Sequence, residues 1–236
     1  SAEAQAALQA WRADWQRADA LMFVSGAAVS HFFAEGVAPP TDPNTTRFWA
    51  PGPGTARLLK KAIAPWGWGA ERIDSPPLEA AQFDSEHLWP VVSSQVEQGR
   101  LVLIVRGTSG REPPVQGVPG VAGHGRDWLI QQCLAAGAQV QGCVAYARRS
   151  PPLSTLDQGL LAAACGPDSA WLFSSSEALI PLQAQRPAAG WGHTTAIVTH
   201  PRIAAAARLA GFDRIVSTRP ALDDVMRTLE SGWTRP

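Results

Sequence analysis

Tyrosine and lysine are almost missing from this 236-residue sequence: Tyr146 is the sole tyrosine, and Lys60 and Lys61 are the sole lysines. Positive charge therefore rests on arginine, and Lys+Arg (20) equals Asp+Glu (20). A balanced charge argues against a nucleic-acid-binding module, which carries a basic patch and a high pI. Cysteine is scarce as well. Cys133, Cys143 and Cys165 are odd in number and lack C-x-x-C spacing, which disfavours a disulfide framework or a zinc site and fits a reducing cytoplasm. No apolar run approaches the roughly 18–20 residues that span a bilayer. The stretch from Ser1 to Asp19 has no compact apolar block, so no secretory signal is expected there. Phosphate-binding and nucleophile signatures are also lacking. There is no G-x-G-x-x-G after a strand, no G-x-x-x-x-G-K-[ST], no G-x-S-x-G and no H-E-x-x-H, and Gly52-Pro53-Gly54-Thr55 is too short and has no lysine.

What is present suits a folded α/β protein. Hydrophobic residues make up 45% and charged residues 17%, enough for a buried core. Short apolar runs alternate with helical periodicity. Strands are expected at Ala20–Val24, Leu101–Val105, Val140–Tyr146, Ala170–Phe173, Thr195–Val198 and Arg214–Ser217. Helices are expected near residues 2–17, 27–34, 56–64, 126–136, 154–164, 177–185, 202–210 and 221–231. Continuous apolar strands between helices describe parallel sheets covered on both faces. The Arg148-Arg149-Ser150-Pro151-Pro152 segment reads as a linker. The expected organisation is a first α/β domain at 1–144, a linker at 145–153 and a second α/β domain at 154–236.

In open α/β sheets, ligands bind outside the carboxyl ends of the strands. The loops starting at Ser25, Gly52, Arg106, Ser174 and Thr199 are therefore the candidate binding loops. Their small residues let a ligand approach the backbone, and the following helices offer free N–H groups to anions. Serine and threonine also serve as plain N-caps, but five similar loops favour an anionic ligand. Arg106, Arg111 and Arg126 cluster around the loop after the clearest strand, where they either stand solvated at the surface or pair with such a ligand. His31, His87, His124, His193 and His200 show no metal-ligand spacing; His200 alone stands in a strand-end loop, where it either caps the next helix or takes part in chemistry. Tyr146, beside the linker, either packs or acts as a hydrogen-bond donor and general acid.

Taken in order, these segments resemble the uroporphyrinogen-III synthase family. The resemblance is carried by Ala20-Leu21-Met22-Phe23-Val24-Ser25-Gly26-Ala27-Ala28-Val29, by Ala50-Pro51-Gly52-Pro53-Gly54-Thr55-Ala56 and by Asp84-Ser85-Glu86-His87-Leu88. It continues in Leu103-Ile104-Val105-Arg106-Gly107 with Gly110-Arg111, in Gly137-Ala138-Gln139-Val140 with Ala145-Tyr146-Ala147-Arg148, and in Phe173-Ser174-Ser175. It implies two flavodoxin-like or Rossmann-like α/β domains, a two-stranded linker and a substrate cleft between the domains. The family's usual N-terminal strand–helix–strand, part of the second domain's sheet, has no counterpart in the residues given. Thr199-His200-Pro201-Arg202 and the Gly/Pro-rich insertion from Glu112 to Gly125 also depart from the family pattern.

The activity implied is a cofactor-free lyase of heme biosynthesis. It closes hydroxymethylbilane to uroporphyrinogen III, with loss of water and inversion of ring D. The same resemblance assigns Tyr146 to catalysis and Ser25, Thr55, Arg106, Gly107, Ser174, Ser175 and Thr199 to substrate binding. No metal or cofactor is implied, and neither nucleic acid nor membrane is a partner. The expected state is a cytoplasmic monomer in transient contact with hydroxymethylbilane synthase. The alternative from another class is a non-enzymatic, two-lobed α/β protein that binds an anion or another small ligand.

Overall fold

The computed structural model describes residues 2–41, 43–109, 127–150, 152–185 and 190–231. The chain divides into two compact units, Ser1–Arg149 and Ser150–Pro236. Arg111, Arg126 and the 112–125 insertion lie outside the described residues.

In the first unit, α1 (Ala2–Ala13) leads to β1 (Ala20–Phe23), α2 (Gly26–Phe32), β2 (Arg47–Trp49), α3 (Pro53–Ile63) and β3 (Ile73–Asp74). After these come α4 (Ser85–Val92), β4 (Leu101–Thr108), α5 (Asp127–Ala135) and β5 (Gln139–Ala147). The strands form one parallel sheet in the order β3-β2-β1-β4-β5. All four residues of β1 are buried, as a strand covered on both faces requires. Side chains alternate across the sheet. Leu21, Phe23, Phe48, Leu103 and Val105 pack with Leu8 and Trp11 of α1, Phe32 of α2 and Leu59 and Ile63 of α3. Ala20, Met22, Trp49, Val102 and Ile104 pack with Leu88 and Val92 of α4 and Leu129, Ile130 and Cys133 of α5. Tryptophan fills much of the first face: Trp15 stacks on Trp66 at 5.2 Å between ring centroids, meets Trp68 edge-on at 6.1 Å and donates to the Ala38 carbonyl at 2.8 Å. At the β3 edge of the sheet, the Arg47 guanidinium donates twice to the Asp74 carboxylate, at 2.9 and 2.7 Å, and clips β2 to β3.

Two expectations shift at the end of this sheet. Arg106 and Gly107 are strand residues rather than loop residues, because β4 continues to Thr108, and Arg106 and Gly107 pair with Val144 and Tyr146. Ala145, Tyr146 and Ala147 likewise complete β5 instead of opening a linker, since Tyr146 and Ala147 find partners in Gly107 and Thr108. Residues 148–150 and 152–154 belong to no helix or strand.

The second unit contains α6 (Thr155–Ala163), β6 (Ala170–Phe173), α7 (Leu179–Gln185), β7 (Thr195–Val198), α8 (Pro201–Leu209), β8 (Arg214–Ser217) and α9 (Leu222–Glu230). Its parallel sheet has the order β6-β7-β8. The central strand β7 is buried along its length. Phe173, Ala196 and Val198 pack with Leu179, Ile203, Ala207, Trp191 and Phe212. α6 opens on a reciprocal cap: Ser154 Oγ accepts from the Asp157 N–H, and the Asp157 carboxylate accepts from the Ser154 N–H.

Candidate active site

The first unit has its topological switch point between β1 and β4. The chain leaves β1 through α2 on one face of the sheet, and the helix that follows β4, α5, lies on the other. Val24, just past β1, packs against both core layers. A crevice at the carboxyl ends of these strands is the position such sheets offer to ligands.

Four residues meet there. Ser25 caps α2, its Oγ accepting from the Ala28 N–H at 3.2 Å. The same Oγ lies 3.2 Å from the Tyr146 hydroxyl. Gly107 pairs with Tyr146 across β4 and β5. A Cβ built on Gly107 would lie 2.5 Å from Tyr146 Cε2 and closer still to Cζ, so the phenol occupies the space that glycine leaves. The imidazole of His31, on α2, stacks on the phenol with centroids 5.2 Å apart and planes 18° apart.

Tyr146 reaches this position through a bulge. Pairing runs from Arg106–Val144 directly to Gly107–Tyr146, which leaves Ala145 as the extra residue of β5. Simple alternation would put Tyr146 on the face of Val140, toward α5. Instead Cys143, Ala145 and Tyr146 all pack with the α1–α3 layer, whereas Val140 packs with the α4–α5 layer. Re-aiming a side chain is a known consequence of a bulge.

The support beneath α2 is also polar. Arg12 of α1 is buried; its guanidinium donates to the carbonyls of His31 and, at 2.8 Å, of Phe32. A cation satisfying the last carbonyls of a helix is favourable on both hydrogen-bond and dipole grounds. Cys143 and Cys133 offer no nucleophile, because burial pushes each thiol up to about 12.

The other expected residues are placed as follows. Thr55 lies in the first turn of α3 and is buried. The N-cap of α3 is Gly52, so no side chain caps this turn, and a Cβ at Gly54 would meet nothing within 4 Å. A Cβ at Gly26 would lie 2.6 Å from Leu58 Cδ1, so the start of α2 abuts the middle of α3. Arg106 is buried, with Nε donating to the Gly107 carbonyl at 3.2 Å. In the second unit, Ser174 is exposed, and Ser175 Oγ accepts from the Glu177 N–H at 3.3 Å. Thr199 is buried, its hydroxyl donating to the Phe173 carbonyl at 3.5 Å. His200 caps α8: its Nδ1 accepts from the Arg202 N–H at 3.1 Å. The histidine that meets Tyr146 is thus His31, which sequence reading passed over. Its one signal was a place on the helix that Ser25 caps. Among the described residues, no group of three or more His, Cys, Asp or Glu side chains could hold a metal ion. No helix among them is long and apolar enough to cross a membrane.

Comparison with known proteins decides the family. The family model described as HEM4, Uroporphyrinogen-III synthase HemD, matches residues 1–118, half of the chain. The chain belongs to the uroporphyrinogen-III synthase family. The matched residues include Ser25, His31, Thr55, Arg106 and Gly107 and end before Tyr146. The fold agrees. A mutant uroporphyrinogen III synthase from the extremely thermophilic bacterium Thermus thermophilus superposes with a TM-score of 0.50 at 16% identity, over 98% of this chain and 82% of that one. The wild-type protein of that organism aligns with a TM-score of 0.45 at 16% identity, over 98% of this chain and 84% of that one. Among curated proteins, none matches the chain.

Proposed function

We propose that this chain converts hydroxymethylbilane to uroporphyrinogen III and that Tyr146 is its catalytic acid. The observation that carries the reading is the Tyr146 phenol, held 3.2 Å from Ser25 at the switch point of a family member's sheet. In the reaction the terminal hydroxymethyl C–O bond breaks. The phenol supplies a proton, the hydroxyl leaves as water, and an electrophilic azafulvenium cation remains. The substituted carbon of ring D attacks it, and the resulting spiro intermediate fragments and recloses with that ring inverted. The proton released when the macrocycle finally closes and re-aromatises returns to the phenolate. Beyond the proton, the protein contributes orientation, which governs which carbon attacks. Ser25, Thr55, Arg106 and Gly107 in the first unit, and Ser174, Ser175 and Thr199 in the second, are the proposed substrate contacts. The uncapped first turn of α3 suits a carboxylate, and the substrate is a polycarboxylate. Because Arg106, Thr55 and Thr199 are buried, their contribution is through the shape of the strand ends and of the first turn of α3 more than through exposed donors. The reading extends to a cytoplasmic monomer that receives hydroxymethylbilane from its synthase in transient contact. Membership of an enzyme family favours this over a non-enzymatic ligand-binding protein.

A coupled assay tests it. Porphobilinogen and its deaminase generate hydroxymethylbilane in situ, and the oxidised porphyrin isomers are separated. Type III product in excess of the spontaneous type I isomer supports the activity. Tyr146→Phe keeps the ring and removes the proton donor, and should lower the rate by about 10²–10⁴-fold. Type I product alone from folded protein overturns the activity, and an undiminished Tyr146→Phe rate overturns the role of the phenol.

A further inference from the structure

We infer that His31 is a positioning residue for Tyr146, an assignment that rests on the cyclase reading for its catalytic meaning. Three restraints converge on the phenol. Gly107 admits the ring where any Cβ would overlap it. Ser25 meets its hydroxyl at 3.2 Å. His31 stacks on the ring, with centroids 5.2 Å apart and planes at 18°. Each removes a different freedom: approach to the strand, rotation of the hydroxyl, and tilt of the ring plane.

His31 is placed for this role. Its side chain is exposed, whereas its neighbour Phe32 is fully buried and does the packing for that turn of α2. An exposed imidazole adds little to the core. Yet its backbone is anchored from below, since the buried Arg12 guanidinium grips the carbonyls of both His31 and Phe32. The imidazole is therefore carried on a turn whose position is set by a different helix. A half-buried tyrosine at the carboxyl end of an edge strand would otherwise swing toward solvent. The offset stack opposes that motion, and a general acid must keep its proton aligned with the leaving oxygen.

The sole tyrosine makes the test direct, because tyrosine labelled with ¹³C at Cζ gives one NMR resonance that reports Tyr146 alone. His31→Ala should shift that resonance, leave the unfolding midpoint within a few degrees of wild type, and lower kcat roughly tenfold to a hundredfold with little change in KM. His31→Phe restores a flat ring and should recover most of kcat. An unmoved resonance in His31→Ala, or an unchanged kcat beside a moved one, overturns the inference. So does His31→Phe that is as slow as His31→Ala, because the imidazole nitrogens and not the stack would then matter. The resonance reads the stack even if the wild-type protein forms no type III isomer, so failure of the cyclase reading and failure of the positioning role are told apart.

Discussion

Replacing Gly107 by alanine adds one methyl group at the most crowded point of the candidate site. The new Cβ would stand 2.5 Å from Tyr146 Cε2, with Cε1 at 2.8 Å. Ordinary carbon–carbon contact lies near 3.5–4.0 Å, so the ring must retreat by about 1 Å. The backbone cannot give way easily, because Gly107 and Thr108 are paired to Tyr146 and Ala147 in the ladder. The ring moves instead. In moving it loses the contact with Ser25, a hydrogen bond of about 0.5–1.5 kcal/mol net, and the stack on His31, about 0.5–1.5 kcal/mol. Overpacking of this kind typically costs about 1–3 kcal/mol, which the protein survives. Catalysis is more sensitive, since a displacement of about 1 Å in a catalytic group costs on the order of 10²-fold. The expected Gly107→Ala protein is folded, modestly destabilised in urea, moved in its Tyr146 ¹³C resonance and about 10²-fold slower in type III formation. Wild-type rate together with an unmoved resonance would refute the slot.

Other sites give independent checks. Arg12→Met leaves two α2 carbonyls without their buried donor, and at about 1.5–3 kcal/mol for a charge-assisted bond its urea midpoint should fall clearly; an unchanged midpoint would show that the grip on α2 adds nothing. Gly159, in α6, would meet nothing within 4 Å of an added Cβ, so Gly159→Ala should stabilise the helix by up to about 1 kcal/mol in thermal or urea unfolding. The buried thiols predict a pH dependence. Cys133 and Cys143 are raised from 9.0 to about 12 in the fold, so below pH 9 both states keep the proton and stability is unaffected. Above it the unfolded chain alone releases protons, and each thiol removes up to about 1.4 kcal/mol per pH unit. Unfolding followed from pH 8 to 10.5 should steepen accordingly, and the Cys133→Ala/Cys143→Ala variant should show the shallower slope.

How far this fold can be read from sequence depends on how each element is held. β1 and β4 are apolar over most of their length because helices cover both of their faces, and β7 because it is buried at the centre of its sheet; such runs announce themselves. β2 and β3 do not. Arg47–Trp49 and Ile73–Asp74 are three and two residues long, too short for any periodicity, and they are strands because β1 and the Arg47–Asp74 clip make them so. The candidate site divides in the same way. Ser25 and Gly107 stand in local patterns of strand, small residue and helix or strand. The meeting of Tyr146 with His31 joins residues far apart in the chain, and it depends on the extra residue in β5. Alternation read along 140–146 points the phenol toward α5, and nothing local to those residues marks Ala145 as unpaired. The role of His200 was open for a related reason: whether a ring in a loop caps or reacts is settled by whether its nitrogen meets a backbone N–H, and here it meets that of Arg202.

The bulge at Ala145 makes the position of the phenol a matter of counting. A slip that closed the bulge, setting Ala145 against Gly107 and Tyr146 against Thr108, would keep every residue and send the ring to the α5 side of the sheet. Deleting Ala145 does the opposite. Val144 and Tyr146 then become neighbours, still opposite Arg106 and Gly107, and plain alternation delivers the phenol to the side it already occupies. The shorter strand would specify its address with no irregularity at all, whereas the longer one must hold an unpaired residue to reach the same place. Changes of strand length are usually weighed by the stability they forfeit. In this strand they also carry a parity, and parity decides which side of the sheet receives the ring.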